Sequence, residues 1–263
     1  MIPSRSRSPF KFFLLVFALS TPFWLLGAVT GRQLLPGLPV SALMAICPAM
    51  AALILVHREN KTAGVTELLK RSFDYKRIRT KAWYAPILLL MPGVMVLSYG
   101  VMRWMDLPFP TPRIPVLAGL VMFLMFLVFF IGALGEELGW SGYAIDPMQA
   151  RWNALQASIL LGLVWAAWHI IPYRQAHRSA GWIAWYCLFT VATRVLMVWL
   201  YNNTGKSVFG AALFHAMVNV SWFPFPNSGL HYDPRITGLI VAFAAAIVTV
   251  VWGPRTLAGS RHA

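Results

Sequence analysis

Long apolar runs separated by short polar segments dominate the chain from one end to the other. Eight runs can be drawn, and each is close to the ~20 residues with which an α-helix crosses a bilayer. This pattern predicts an all-α fold, a polytopic membrane helical bundle of about eight transmembrane helices, with residues 1–263 forming a single membrane domain. The predicted segments are roughly 10–29, 38–57, 82–102, 114–140, 154–172, 181–201, 207–223 and 236–254.

The one substantial polar segment, residues 58–81, contains eight Lys and Arg residues. Within it, Val65, Leu68, Leu69 and Phe73 follow a helical spacing. Basic residues combined with one apolar face are typical of a helix that lies in the membrane interface. We therefore expect an interfacial amphipathic helix here.

Composition supports a membrane protein and argues against nucleic acid as a partner. Hydrophobic residues make up 59% of the chain and charged residues 11%, whereas a soluble domain has roughly 25% charged residues. The net charge of +14 comes from basic residues between apolar runs, where they face anionic membrane lipids. We expect an integral protein of a bacterial plasma membrane with lipids as neighbours.

The basic residues also predict an orientation. The N-terminus, residues 58–81, the turn 146–153, Lys206 and the C-terminus together carry 15 Lys and Arg residues, whereas the opposite side carries six. The positive-inside rule places the richer side in the cytoplasm, with both termini there.

Acidic residues are rare, and two of them are adjacent in an apolar stretch. Of eight acids in the chain, Glu136 and Glu137 end the fourth run, and the other six fall in segments that we interpret as loops. A charged side chain at membrane depth costs at least ~2.5–3.5 kcal/mol on insertion scales, so it is rare without a function. This pair is therefore the first candidate for chemistry.

Further polar residues fall within other predicted spans. His169 lies in the fifth, Arg194 in the sixth, and His215 and Asn219 in the seventh. Because His215 and Asn219 are four residues apart, they share one helix face. A carboxylate in a dry pocket can act as a general base on water, a histidine can orient the water or protonate the leaving amine, and a His and Asn pair can donate to an oxyanion.

The same residues carry a resemblance to a known family. The sequence resembles the CPBP family of intramembrane glutamate proteases, also called the type II CAAX prenyl protease or Abi family, over about residues 110–225. The motifs of that family read EExxxR, FxxxH and HxxxN or HxxxD. In this chain they stand as EELGWS at 136–141, WAAWH at 165–169 and HAMVN at 215–219.

The resemblance implies a bundle of about eight transmembrane helices and a metal-independent membrane endopeptidase without a cofactor. It also implies catalytic roles for five residues. Glu136 would activate water, with His169 as its partner. Glu137 would be a supporting acid, and His215 with Asn219 would donate to the oxyanion.

Two positions depart from the family pattern. Trp165 replaces the motif Phe, and Ser141 replaces the motif Arg, which could pair with Glu137 at the i,i+4 spacing. Without that Arg, either Glu137 is protonated, or another cation such as Arg194 pairs with it, or the enzyme is impaired. Two close carboxylates resist ionising together, so we expect Glu137 to be neutral and its replacement by Gln to be tolerated.

Several functions stay open at this point. The leading hypothesis is an intramembrane endopeptidase acting on a lipidated or membrane-associated peptide or protein. The alternative is a catalytically impaired membrane partner, such as a bacteriocin-immunity or scaffold protein, which Ser141 favours. Two further alternatives are a proton-coupled transporter and a zinc peptidase with Glu136, His169 and His215 as ligands, although the chain contains no HExxH motif.

The predicted orientation can be tested by cysteine-accessibility labelling. Cysteines introduced at Ser4 and Ser260 are expected to be protected from a membrane-impermeant reagent in intact cells and to react after the membrane is opened. Labelling of either position from outside would contradict the assignment of both termini to the cytoplasm.

Overall fold

A computed structural model describes residues 7–107, 118–222 and 232–259, and these residues are almost entirely helical. A short antiparallel hairpin follows the first helix, with strands β1 (Gln33–Leu35) and β2 (Leu38–Pro39). The helices are α1 (Pro9–Thr30), α2 (Cys47–Lys70), α3 (Tyr84–Trp104), α4 (Ala118–Gly139), α5 (Ile145–Gln149), α6 (Ala154–Gln175), α7 (Ala180–Asn203), α8 (Val208–Ser221) and α9 (Pro234–Trp252).

Polar caps define where several helices begin. Asn153, Ser179 and Ser207 each precede a helix, and each side chain accepts a hydrogen bond from a backbone N–H of the first turn. Such caps satisfy backbone donors that have no partner within the helix. Asp233 caps α9 in the same way and is followed by Pro234 at the first helical position, where proline is tolerated.

The predicted all-α membrane bundle is confirmed. Seven of the described helices are long and apolar enough to cross a membrane, and the protein is an integral membrane protein. The seventh predicted segment, 207–223, is shorter than expected, because α8 has only 14 residues. At 1.5 Å per residue it is about 21 Å long, less than the ~30 Å of a typical hydrocarbon core.

The polar segment 58–81 is only partly the predicted amphipathic helix. Helix α2 continues through it to Lys70, with a break at Lys61, where φ is 56° and ψ is −153°. Short 3₁₀ turns then cover Arg71–Phe73, Tyr75–Arg77 and Lys81–Trp83. Leu68 is buried, whereas Leu69 and Phe73 are exposed, so the segment retains an outward apolar surface.

The expectation that the six other acids lie in loops is wrong for three of them. Glu59 and Glu67 lie in α2, and Asp146 lies in α5. The polarity of segment 58–81 indicates a connection between two spans, but a charged helix can continue past an apolar span when its exposed side chains remain solvated.

The basic segments that the charge distribution assigns to one side of the membrane lie near one another at one end of the bundle. Arg7 pairs with Glu59 at 3.5 Å, and Arg151 donates to the Arg7 carbonyl at 3.0 Å. The backbone N–H of Ala154 donates to the Arg255 carbonyl at 2.9 Å. This end is called the basic end below. Its location in the cytoplasm stays a prediction.

Two glycines allow α4 to pack closely against the first turn of α2 and the residues just before it. A Cβ atom at Gly135 would lie 2.8 Å from the Ala45 carbonyl oxygen, and one at Gly139 would lie 2.5 Å from that of Pro48. Glycines four residues apart are typical of close helix packing in membranes. Because Glu136 and Glu137 lie between them, this contact fixes the acid pair within the bundle.

The close approach predicts that Gly139→Ala destabilises the protein. The added methyl group meets backbone atoms that cannot move aside, and overpacking of this kind costs roughly 1–3 kcal/mol. Gly132→Ala is the matched control on the same helix, since a Cβ atom there meets nothing within 4 Å. Denaturation in detergent should show a loss for the first variant only, and equal stabilities would contradict this account of the packing.

Candidate active site

Glu137 is fully buried and is surrounded by four hydrogen-bond donors. Arg194 of α7 reaches both carboxylate oxygens, with Nη1 2.9 Å from Oε2 and Nη2 3.1 Å from Oε1. Nδ1 of His215 on α8 lies 3.0 Å from Oε1, and the hydroxyl of Ser141 donates to Oε2. The Glu137 and Arg194 side chains are 0% exposed, so this carboxylate has no free face for substrate.

These contacts correct the expectation of a neutral Glu137. The bidentate guanidinium pair favours the carboxylate, because an Arg side chain is always charged and presents two parallel donors. Of the three possibilities left open for Ser141, the structure favours a second cation, supplied by Arg194. Ser141 contributes a hydroxyl donor in place of the motif Arg.

Glu136 has a different environment from its neighbour. The indole N–H of Trp165 donates to Oε2 at 2.7 Å, and that of Trp140 donates to the same oxygen at 3.3 Å. No described residue donates to Oε1, yet that atom is not completely buried. Glu136 therefore retains one unpaired carboxylate oxygen with which it can take a proton.

His169 lies close to Glu136 but does not bond to it. Its Nδ1 atom lies 2.9 Å from the Trp165 carbonyl, and because a carbonyl oxygen only accepts, Nδ1 carries the hydrogen. Its ring stacks on Tyr173 with centroids 5.6 Å apart. Trp165 donates to Glu136 and contacts the His169 ring, so the two groups belong to one site, and no described residue bonds to Nε2 of His169.

Asn219 is the least constrained of the predicted residues. It is half-buried, one turn after His215 on α8, and within the described ranges its side chain makes no hydrogen bond. The prediction that Asn219 acts together with His215 therefore rests on their position on one face of α8.

No cluster of three or more His, Cys, Asp or Glu side chains suited to a metal ion occurs in the parts of the chain that the structure describes.

The helix geometry after the acid pair is unusual. Residues Trp140–Ala144 form a π-helical turn directly after α4, a feature that is frequent at functional sites. Trp140 and Ser141 stand four residues after Glu136 and Glu137, and each donates to the acid one turn before it. The same segment thus supplies both acids and a donor for each.

A turn at the basic end connects three of the helical segments that carry the site, which are the π-helical turn, α7 and α8. Arg71 donates to the Gly142 carbonyl of the π-helical turn at 2.9 Å, to the Tyr201 hydroxyl of α7 at 2.8 Å and to the Lys206 carbonyl at 2.7 Å. Three residues later, Asp74 accepts from the Ser207 hydroxyl at 2.7 Å and from the Phe209 N–H at 3.1 Å. A carboxylate at a helix N-terminus is stabilising, so this turn fixes the start of α8, which carries His215.

Sequence reasoning missed Trp140, the indole donor of Trp165 and the turn at residues 71–74. The i,i+4 spacing of Trp140 from Glu136 could have indicated the first contact. Trp165 replaces the motif Phe, and its indole N–H is a donor that Phe lacks. No sequence signal identifies the contacts of Arg71, because they join segments more than 70 residues apart.

Comparison with known proteins shows similarity to a protease family and to a relative that matches over nearly its full length. The family model described as type II CAAX prenyl endopeptidase Rce1-like matches residues 118–221, a range that contains all five candidate residues. The CAAX prenyl protease 2 of Methanococcus maripaludis is 28% identical over 276 residues, which cover 94% of this chain and 96% of the relative. A partial match of 28% identity over 138 residues links the chain to membrane protein insertase YidC 2 of Staphylococcus epidermidis, covering 46% of this chain and 47% of that protein.

The buried ion pair predicts that Glu137→Gln strongly destabilises the protein, in contrast to the tolerance expected from sequence. The amide leaves the Arg194 charge without a counter-charge, and breaking a buried pair in this way costs roughly 3–5 kcal/mol. The measurement is the free energy of unfolding in detergent.

Two further variants control for the loss of charge. Glu67→Gln removes an acid whose pair with Lys70 is largely exposed, with both side chains at least 69% accessible, and should change stability by no more than ~1 kcal/mol. The double variant Glu137→Gln with Arg194→Met removes both charges and should recover part of the loss. A fully stable single variant would show that the pair does not hold the bundle together.

Proposed function

We propose that this chain is a member of the CPBP family of type II CAAX prenyl endopeptidases, and that it hydrolyses a peptide bond with a water molecule activated by Glu136. The observation that carries the proposal is the contrast between the two acids. Both oxygens of Glu137 are occupied by donors, whereas no described residue donates to Oε1 of Glu136. Of the two acids, Glu136 is therefore the one that can accept a proton from water.

The proposed general base is held by hydrogen bonds at its other oxygen. Trp165 and Trp140 fix Oε2, so Oε1 is presented in a defined position. A carboxylate in a site shielded from bulk water is suited to accept a proton as water attacks a carbonyl carbon. The proton then has a route to the leaving amine, because Glu136 becomes a carboxylic acid that can donate it.

His169 is the proposed partner of the base. With Nδ1–H donated to the Trp165 carbonyl, its Nε2 atom can accept a hydrogen bond from the attacking water. That contact would orient the water between the imidazole and the Glu136 carboxylate. A proton taken up at Nε2 would also make His169 a donor to the leaving nitrogen.

His215 and Asn219 are the proposed oxyanion donors. The Glu137 carboxylate lies 3.0 Å from Nδ1 of His215 and stabilises the positive charge of a protonated ring. A protonated imidazole donates from both nitrogens, so Nε2 would be available to the oxyanion. The Asn219 amide, one turn further along α8, would supply the second donor.

The proposed substrate is a lipidated or membrane-associated peptide or protein. The relative from Methanococcus maripaludis is named a CAAX prenyl protease, and Glu136, Glu137 and His169 of this chain lie within helices that are long and apolar enough to span a membrane. A substrate anchored in the same bilayer can reach such a site by lateral diffusion. Membrane lipids are thus the surroundings of both enzyme and substrate.

Glu136→Gln is expected to abolish cleavage without unfolding the protein. The amide oxygen of Gln can still accept the Trp165 and Trp140 hydrogen bonds, but the amide cannot take a proton. General-base catalysis contributes ~10²–10⁴-fold to rates, so turnover of a quenched lipopeptide by purified protein should fall by at least that factor. Thermal stability measured in parallel separates lost chemistry from misfolding.

A chelator provides the second arm of this experiment. Cleavage is expected to persist after chelation, with no loss that zinc restores, because the proposed base acts directly on water. Full activity in Glu136→Gln would remove the protease hypothesis. Stoichiometric zinc that tracks activity would replace the glutamate mechanism by a metal-dependent one.

A further inference from the structure

Trp165 contacts four side chains of the candidate site, from both the Glu136 half and the Glu137 half. Its indole N–H donates to Glu136 at 2.7 Å, and the Arg194 guanidinium lies 4.1 Å from the ring centroid. The rings of His215 and His169 meet it edge-on, with centroids 5.1 and 5.5 Å away. The Trp165 side chain, which is 4% exposed, therefore links the Glu136 and Glu137 halves of the site.

The ring orientation is fixed independently of Glu136. Arg194 lies against the ring in cation–π geometry, and the guanidinium is itself held by both oxygens of Glu137. Since Arg194 cannot rotate without breaking that buried pair, the position of the Trp165 ring is defined before Glu136 bonds to it. The indole N–H is thus a preorganised donor.

This preorganised donor determines which oxygen of Glu136 is held by hydrogen bonds. Trp165 and Trp140 both donate to Oε2, and no described residue donates to Oε1. The N–H of Trp165 is the closer of the two, at a distance typical of a strong hydrogen bond to a charged acceptor. Rotation of the carboxylate would break both contacts, so the two oxygens have distinct roles.

We infer that Trp165 is a positioning residue, which holds Oε2 of Glu136 through its indole N–H and thereby selects Oε1 as the oxygen that takes the proton from water. This inference rests on the proposed function of Glu136 as general base. The motif of the family has Phe at this position, and Phe would retain the ring contacts with Arg194 and His215 while losing the donor. In this chain the base is therefore oriented by a hydrogen bond that a Phe ring could not provide.

Trp165→Phe tests the inference. We expect kcat to fall about 10- to 100-fold, the effect of losing one hydrogen bond to a charged group from the reactive geometry. KM should stay within about twofold, because the indole N–H contacts the base and not the substrate. A role confined to packing would instead lower thermal stability, with kcat retained by the molecules that remain folded.

Trp168→Phe is the matched control on the same helix. Its ring is fully buried, and its N–H donates at 2.8 Å to the Ser20 hydroxyl, not to an acid. This variant loses one buried indole N–H whose hydrogen bond is of similar length, and its kcat should remain within about twofold of that of the unmodified protein. Trp140→Phe should cause a smaller loss of kcat than Trp165→Phe, because its contact is longer.

A second variant covers the case in which Trp165→Phe does not fold. Site-specific replacement of Trp165 by β-(3-benzothienyl)alanine keeps the shape of the indole and removes only the N–H donor, so the same fall in kcat is expected. Unchanged kcat in either folded variant, with Glu136→Gln inactive, would overturn the role of Trp165 and leave the proposed function standing. Activity in Glu136→Gln itself would overturn the proposed function.

Discussion

The ion pair between Glu137 and Arg194 is the constraint on which the site depends. Two opposite charges with no exposed surface are tolerable in a protein interior only when their geometry is good and their remaining donors and acceptors are satisfied. Here the carboxylate also receives the Ser141 hydroxyl and the His215 ring, so one acid joins α4, the π-helical turn, α7 and α8. The guanidinium in turn orients Trp165. Glu137 thus makes the contacts that join these helices, and Glu136 remains available for the proposed reaction.

Much of the fold could be predicted because the relevant signals are local. Runs of apolar residues locate spans, and the unequal distribution of Lys and Arg predicts which segments share one end of the bundle. In the structure, Arg151 contacts Arg7, and Ala154 donates to the Arg255 carbonyl at that end. The acid pair was identifiable because charge is costly in an apolar segment. The length of α8 and the continuation of α2 to Lys70 were less predictable, since tertiary contacts such as the Asp74 cap determine them.

The contacts inside the site were harder to predict, because they depend on the axial alignment of helices that are distant in sequence. Counting residues from the turn near residue 150 places His169 about one helical turn deeper than Glu136, and the structure accommodates this by setting Trp165, one turn earlier, opposite the acid. Arg194 could be named as a substitute cation, but its pairing with Glu137 required the α7 geometry. Helices α6 and α7 approach each other closely at Gly162, where an added Cβ would lie 3.2 Å from the Arg194 Cβ. The hydropathy pattern gives no indication of this approach.

The charge composition of the site has a consequence for how a proton moves within it. Glu136 and Glu137 provide two negative charges, and Arg194 provides one fixed positive charge. In the proposed mechanism, a proton passes from water to Glu136 and then to the leaving amine, so it moves between groups that lie within the site. Net charge is expensive in a membrane interior, and such a turnover would require no ion to cross the apolar part of the bundle.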